Sequence, residues 1–73
     1  MGDTMPMTVE RVQTWMEQIR AVAEHNDECA HRNEDALHRC VLDAIAKGEC
    51  ADPQACARES LKTFDIEFYR WYA

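Results

Sequence analysis

The chain has 73 residues, of which 47% are hydrophobic and 30% are charged, with only two glycines and two prolines. A chain of this length forms one domain at most, and its composition is typical of a folded helical protein and excludes a disordered one. The net charge of −6 argues against direct binding of nucleic acid, because phosphate contacts need clustered Lys and Arg and the eight basic residues here are scattered.

The first helix is predicted over residues 8–27, after a flexible leader at 1–7. The Thr8 hydroxyl can accept a hydrogen bond from a free amide of the first turn. Apolar residues then recur at spacings of three and four, as on the buried face of an amphipathic helix: Val9, Val12, Met16, Ile19 and Ala23. Beside this stripe glutamates recur every seven residues, which predicts an acidic line: Glu10, Glu17 and Glu24.

The second helix is predicted over 34–47, after a polar connection that ends in Asn33. Asn33 suits the N-cap position, and Gly48 suits the left-handed residue that follows a helix. Its apolar face carries Leu37, Val41, Ala44 and Ile45.

The third helix is predicted over 53–63, because Asp52 and Pro53 supply a cap followed by proline at the first helical position. Its inward face is expected to carry Ala55, Cys56, Ser60, Leu61 and Phe64. A short fourth helix over 65–72 completes the chain, and a single bent third helix is the alternative. The sequence therefore predicts an all-α fold, a small three- or four-helix antiparallel bundle over residues 8–73 that forms a homodimer.

The C-terminal segment holds five of the six aromatic residues. Such side chains bury ~150–250 Å² each, and a single core of this size contributes only ~3–5 kcal/mol. One interpretation is that the segment closes the chain's own core. The other is that it forms an interface, in a homodimer or on another protein, because Trp and Tyr are enriched at binding hot spots. The predicted interface residues are Phe64, Phe68, Tyr69, Trp71, Tyr72 and Trp15.

Seven Cys and His residues raise the possibility of a metal site, but no two cysteines have the C-x-x-C spacing of a structural zinc site. We expect no cofactor, and if zinc binds, the candidate ligands are His25, Cys29, His31, Cys50 and Cys56. Carboxylates three residues before His31 and His38 match part of a di-iron pattern. The acidic line of the first helix lies off the apolar stripe and cannot complete such a site.

The cysteines also allow a thiol-redox module. Cys56 is predicted in the first turn of the third helix, where amides and the helix dipole lower a thiol pKa, and Cys50 can loop back to it. The alternative is that Cys40 and Cys56 are small core residues.

No catalytic motif is present, and a chain this small offers little concave volume, so we expect a non-enzyme. A dimeric enzyme would have to place His25, His31 or His38 in a pocket. Without a signal peptide or an apolar transmembrane run, we predict a cytoplasmic protein that does not bind membranes. The predicted function is a protein–protein interaction module, an adaptor or inhibitor, with a basic protein as partner. A sharper alternative is an acidic inhibitor that imitates nucleic acid.

Overall fold

The structure, a computed structural model, describes residues 7–68. Three α-helices occupy most of this range, α1 at Val9–Ala23, α2 at Asp27–Ala46 and α3 at Pro53–Leu61, and a 3-10 helix, η1, follows at Lys62–Asp65. The predicted all-α class is confirmed. No strand occurs between residues 7 and 68, where the extended backbone makes one isolated parallel bridge, from Met7 to Cys50.

Helix α1 begins as the sequence predicts. The Thr8 side chain accepts a hydrogen bond of 3.1 Å from the Arg11 amide, and the apolar stripe is buried at Val12, Met16 and Ile19. The helix ends at Ala23, so the predicted span of 8–27 was too long. It ends there because the amides that follow turn back to the Val22 carbonyl and the chain begins a new helix.

Helix α2 begins at Asp27, not at residue 34 as predicted. The cap is Asn26, whose side chain accepts a hydrogen bond of 3.0 Å from the Cys29 amide. Asn33 is not the cap. It lies inside the helix, where its side-chain Nδ2 donates a hydrogen bond to the Cys29 carbonyl. The earlier start has a packing reason, because the extra turns bury Ala30 and continue the inward face of the helix.

Helix α3 has the predicted cap, since the Asp52 side chain accepts a hydrogen bond from the Ala55 amide and Pro53 follows it. The chain then tightens into η1, and Ile66 adopts an extended conformation. The predicted helix at 65–72 is therefore wrong in its described part, because residues 66–68 are not helical; residues 69–72 lie outside the described range.

The core lies where the three helices contact one another pairwise. Met7 belongs to it although the leader was predicted to be flexible through residue 7, since its amide and carbonyl bond the backbone of Glu49 and Ala51 at 3.3 and 3.0 Å. The left-handed Gly48, with φ of +71°, ends α2 as predicted and allows the chain to turn toward α3. The buried apolar residues are Met7, Val12, Met16, Ile19, Ala30, Leu37, Val41, Ala44, Cys50, Cys56 and Ile66.

Candidate functional site

Three large apolar side chains are exposed in the described part of the chain, and all three line one groove. Leu42 is 66% exposed, Leu61 59% and Phe64 57%. The groove lies between α2 and the α3–η1 segment, encloses about 380 Å³ and has an almost wholly apolar lining, to which Val41 and Ala57 also contribute. Exposed apolar surface that converges in one concave place is typical of a binding site, whereas single scattered apolar residues are ordinary.

Leu61 and Phe64 were predicted to face the core, but both face the groove. The switch from α3 to η1 explains this difference. In a 3-10 helix the side chains of residues three apart eclipse each other. Ser60 and Thr63 therefore form the buried row, and Leu61 and Phe64 form an exposed row beside it. The prediction assumed the α-helical spacing of four, which continues the inward face from Ser60 to Phe64.

His38 fixes the α3–η1 junction from the side of α2. Its Nε2 lies 3.1 Å from the Ser60 carbonyl oxygen and 2.9 Å from Thr63 Oγ1. The Thr63 hydroxyl donates to that same carbonyl at 3.0 Å, so we assign the Nε2 proton as the donor to both oxygens. The His38 ring also packs against Phe64, with ring centroids 5.3 Å apart. His38 thus positions one wall of the groove.

These contacts do not resemble a catalytic pair. His38 meets the carbonyl of Ser60, while the Ser60 hydroxyl donates to the Ala57 carbonyl at 3.0 Å. A serine nucleophile would instead need its hydroxyl within hydrogen-bond reach of the imidazole. The histidine has a structural role in this geometry.

Two arginines flank the groove on its two helices. Arg39 precedes Leu42 by three residues and Arg58 precedes Leu61 by three, a spacing that makes side chains neighbours on a helix surface. Both are exposed, and neither forms an ion pair within residues 7–68. Four other cations of this range are paired with carboxylates of their own helix or its cap, at 2.9 to 3.5 Å: Arg20, Arg32, Lys47 and Lys62. Within residues 7–68, two exposed cations without an ion pair therefore lie one helical turn before leucines that line the apolar groove.

The predicted interface residues lie in different environments in the structure. Phe64 lines the groove, whereas Phe68 and Trp15 are half-buried and pack against the core. Trp15 also borders a separate depression on α1, with Arg11 and Gln18. The other three predicted residues, Tyr69, Trp71 and Tyr72, lie outside the described residues. Leu42 and Leu61 were not among the predicted interface residues; the signal for Leu42 was its place beside Val41, off the apolar stripe of α2.

The predicted metal ligands do not form one site. Among residues 7–68, the one cluster of three or more ligand-type side chains is His31, Glu34 and Asp35, with ligand atoms within 4.8 Å of one another. It contains one of the five candidates, His31, and a carboxylate that was not predicted as a ligand, Glu34, which is 2% exposed. His25 and Cys29 are not part of it. Its three side chains come from one turn of α2, which could hold a cation only from one side.

Cys50 and Cys56 are both buried in the core. The expected lowering of the Cys56 pKa is wrong. Burial, followed by the interaction with the Cys50 thiol, raises the pKa of Cys56 from 9.0 to about 11, against the smaller opposing effect of a backbone hydrogen bond from Asp52. Cys40, expected in the core, is exposed.

The acidic line of α1 offers no continuous row of free carboxylates. Glu10, Glu17 and Glu24 are all exposed, but Glu17 is paired with Arg20 at 2.9 Å. On α3, Glu59 pairs with Lys62, whose hydrogen bond lowers the pKa of the glutamate. Cations of the same helices therefore already form ion pairs with carboxylates that a basic partner would need.

No family model, curated protein or solved structure matches this chain. None of the helices within residues 7–68 combines the length and hydrophobicity that crossing a membrane requires.

Proposed function

We propose that this chain is a non-catalytic protein-binding module, a small cytoplasmic adaptor or inhibitor, whose α2–α3 groove binds an acidic amphipathic helix of a partner protein. One observation carries the proposal: the large exposed apolar side chains of the described chain, Leu42, Leu61 and Phe64, share a single groove. A helix that lays its apolar face into such a groove is a recurrent mode of recognition.

The energetics fit a reversible interaction. Full burial of a Leu or Phe side chain is worth about 1.5–3 kcal/mol, and each of the three is already somewhat less than half buried. Covering all three therefore contributes roughly 3–5 kcal/mol. Since association itself costs free energy, a groove of this size supports transient binding unless polar contacts around it add affinity and specificity.

The two flanking arginines set the charge of the partner. The net charge of −6 favours a basic partner, but exposed charges farther away than about 8 Å are largely screened at physiological ionic strength. Arg39 and Arg58, one turn before Leu42 and Leu61, are exposed and form no ion pair within residues 7–68. An apolar helix face flanked by Glu or Asp complements this surface, because Arg binds carboxylates in a bidentate manner.

A second copy of the chain fits the groove less well. In a twofold dimer the same patch lies on both sides of the contact. Arg39 and Arg58 of one copy would then lie close to the same two residues of the other, and like charges brought together in an interface are unfavourable. The predicted homodimer is therefore the alternative occupant that the experiment has to distinguish.

The test uses two designed helical peptides that carry leucine at positions i, i+3, i+4 and i+7. One has glutamate at the polar positions, and the other has lysine. Binding is measured by fluorescence anisotropy, and contact residues are mapped from amide chemical shifts. The glutamate peptide should bind at least about ten-fold more tightly, although net charge alone favours the lysine peptide. Shift changes should centre on Leu42, Leu61 and Phe64.

Matched variants identify the groove as the binding site. Leu42→Gln with Leu61→Gln, and separately Arg39→Glu with Arg58→Glu, should each weaken binding of the glutamate peptide at least about ten-fold. Arg20→Glu with Arg32→Glu changes the net charge equally but lies elsewhere, and should have a much smaller effect. Tighter binding of the lysine peptide, or shifts centred on Trp15, would contradict the proposal. A particle of twice 8.5 kDa that the Gln variants convert to monomer would assign the groove to a second copy.

A further inference from the structure

Helix α2 carries a carboxylate in the row of residues that faces the core. Residues at spacings of three and four are buried along this face: Ala30, Glu34, Leu37, Val41 and Ala44. Glu34 is the one charged side chain in this row, and it is only 2% exposed. A glutamate is almost never buried to this extent unless its charge is paired or coordinates a metal ion.

Two further ligand-type side chains lie beside Glu34 in the same turn. His31 precedes Glu34 by three residues and Asp35 by four, spacings that make side chains neighbours on a helix surface. Ligand atoms of the three residues lie within 4.8 Å of one another, and His31 Nε2 is 3.7 Å from Asp35 Oδ1. The side chain of His31 is 18% exposed and that of Asp35 65%. The cluster therefore extends from the core to the surface, where an ion from solvent can reach it.

The carboxylate on the other side of His31 does not belong to the cluster. Glu28 precedes His31 by three residues, but it is paired with Arg32 at 3.5 Å. The carboxylates near the imidazole are thus those that follow it in sequence. This arrangement differs from the carboxylate-x-x-His spacing of a di-iron pattern.

We propose that His31, Glu34 and Asp35 form a binding site for a divalent transition-metal ion, and that Zn²⁺ is the ion that these ligands suit best. An imidazole nitrogen and two carboxylate oxygens are ordinary zinc ligands, whereas Ca²⁺ and Mg²⁺ prefer oxygen ligands alone. The inference does not depend on the protein-binding groove, because none of these three residues lines it.

Small side-chain rotations bring the three ligands to the distances that zinc requires. With bonds of about 2.0–2.2 Å, the donor atoms around a tetrahedral zinc ion lie about 3.4 Å apart. The separation of 3.7 Å between His31 and Asp35 is close to this value, and the upper limit of 4.8 Å exceeds it by about 1.4 Å. The exposed Asp35 side chain can rotate toward Glu34, which the core holds in place. Since all three ligands approach from one side, the opposite side of the ion stays open to water, as in zinc sites with three protein ligands.

A protonated His31 is the alternative source of positive charge for the two carboxylates. Its imidazolium would pair with Asp35 across the 3.7 Å separation. The two explanations exclude each other at the ring nitrogen, because a protonated imidazole has no lone pair to offer a metal ion. Direct measurement of metal binding therefore distinguishes them.

The experiment titrates the full chain carrying Cys29→Ser and Cys40→Ser, because these are the less buried cysteines and thiolates are strong zinc ligands. Isothermal titration calorimetry measures the binding of Zn²⁺, Ca²⁺ and Mg²⁺. We expect one Zn²⁺ per chain, bound at least about ten-fold more tightly than the other two ions. The thermal unfolding midpoint should rise by roughly 10 °C at a free zinc concentration about 100-fold above Kd.

Matched variants identify the ligands. His31→Ala and Asp35→Asn should each weaken Zn²⁺ binding at least about ten-fold, since even the loss of a second-shell partner costs about 10–100-fold. Glu34→Gln preserves the shape of the buried side chain and should weaken binding by at least as much, with circular dichroism verifying that the helices are retained. His25→Ala and Glu28→Gln remove the same types of group outside the cluster and should leave the affinity almost unchanged.

Two spectroscopic measurements do not depend on how the variants fold. Zn²⁺ should shift the imidazole resonances of His31 and not those of His25. The Co²⁺ form should lack the intense near-ultraviolet band of a cobalt–thiolate bond. The absence of saturable Zn²⁺ binding, as expected if protonated His31 alone balances the carboxylates, would overturn the proposal. Equal affinities for Zn²⁺ and Ca²⁺, unchanged binding in His31→Ala, or a cobalt–thiolate band would also overturn it.

Discussion

Two leucines of α2 have opposite environments. Leu37 is fully buried in the core, whereas Leu42, little more than a turn later, is 66% exposed and faces the groove. The same residue type on the same helix therefore contributes to stability in one place and is available for binding in the other. The difference shows that the function of an apolar residue here depends on the helix face that it occupies.

The largest effect on stability is expected for a substitution on the core side of α2. Leu37→Ala should lower the free energy of unfolding by about 3 kcal/mol, because it removes buried apolar area and leaves a cavity. Leu42→Ala should change it by less than about 1 kcal/mol. Urea denaturation followed by circular dichroism measures both. Similar losses for the two variants would mean that the two faces do not differ as described.

Cys56 and Ala57 extend the comparison to α3, where one side chain is buried in the core and its neighbour lines the groove. Because the Cys56 pKa is raised in the folded state, the unfolded chain releases the thiol proton first as the pH rises above 9.0. Stability linked to this thiol is therefore present below pH 9.0 and is lost toward pH 11, by about 2 kcal/mol.

The measurement compares urea denaturation at both pH values, under a reductant, for the unsubstituted chain and Cys56→Ala. The unsubstituted chain should lose about 2 kcal/mol more than the variant. Cys40→Ala, at an exposed thiol, should retain the full pH dependence. If Cys56→Ala retains it as well, another group is responsible.

His38 connects the core to the groove, because it links α2 to the α3–η1 junction. His38→Ala removes the hydrogen bonds to the Ser60 carbonyl and to Thr63, and should cost about 1–2 kcal/mol of stability. It should also shift the amide resonances of Leu61 and Phe64, since η1 loses its attachment to α2. His25→Ala, at an exposed histidine, is the matched control and should leave both quantities almost unchanged. Unaltered resonances in His38→Ala would refute its positioning role.

The smallest effect is expected at the end of α2. Gly48→Ala should cost about 1 kcal/mol from backbone strain alone, because φ is +71° and no heavy atom lies within 4 Å of the added Cβ. Gly48→Asn should cost less, because Asn tolerates this conformation better. Equal free energies of unfolding for the Ala and Asn variants would point to packing and not to backbone strain.

The sequence by itself determined much of the local structure. The Thr8 and Asp52 caps, the apolar stripe of α1 and the left-handed Gly48 were all predictable, because each depends on interactions within a few residues.

Tertiary structure decided the rest. Asn26 and Asn33 are equally good caps by residue type, and packing of Ala30 against the core selected the earlier start of α2. The groove depends on a change from α to 3-10 spacing after Leu61, which moves burial from Phe64 to Thr63. Burial raised the Cys56 pKa against the local effect of a backbone hydrogen bond from Asp52. In each case, contacts with residues distant in sequence outweighed a local preference of about 1 kcal/mol.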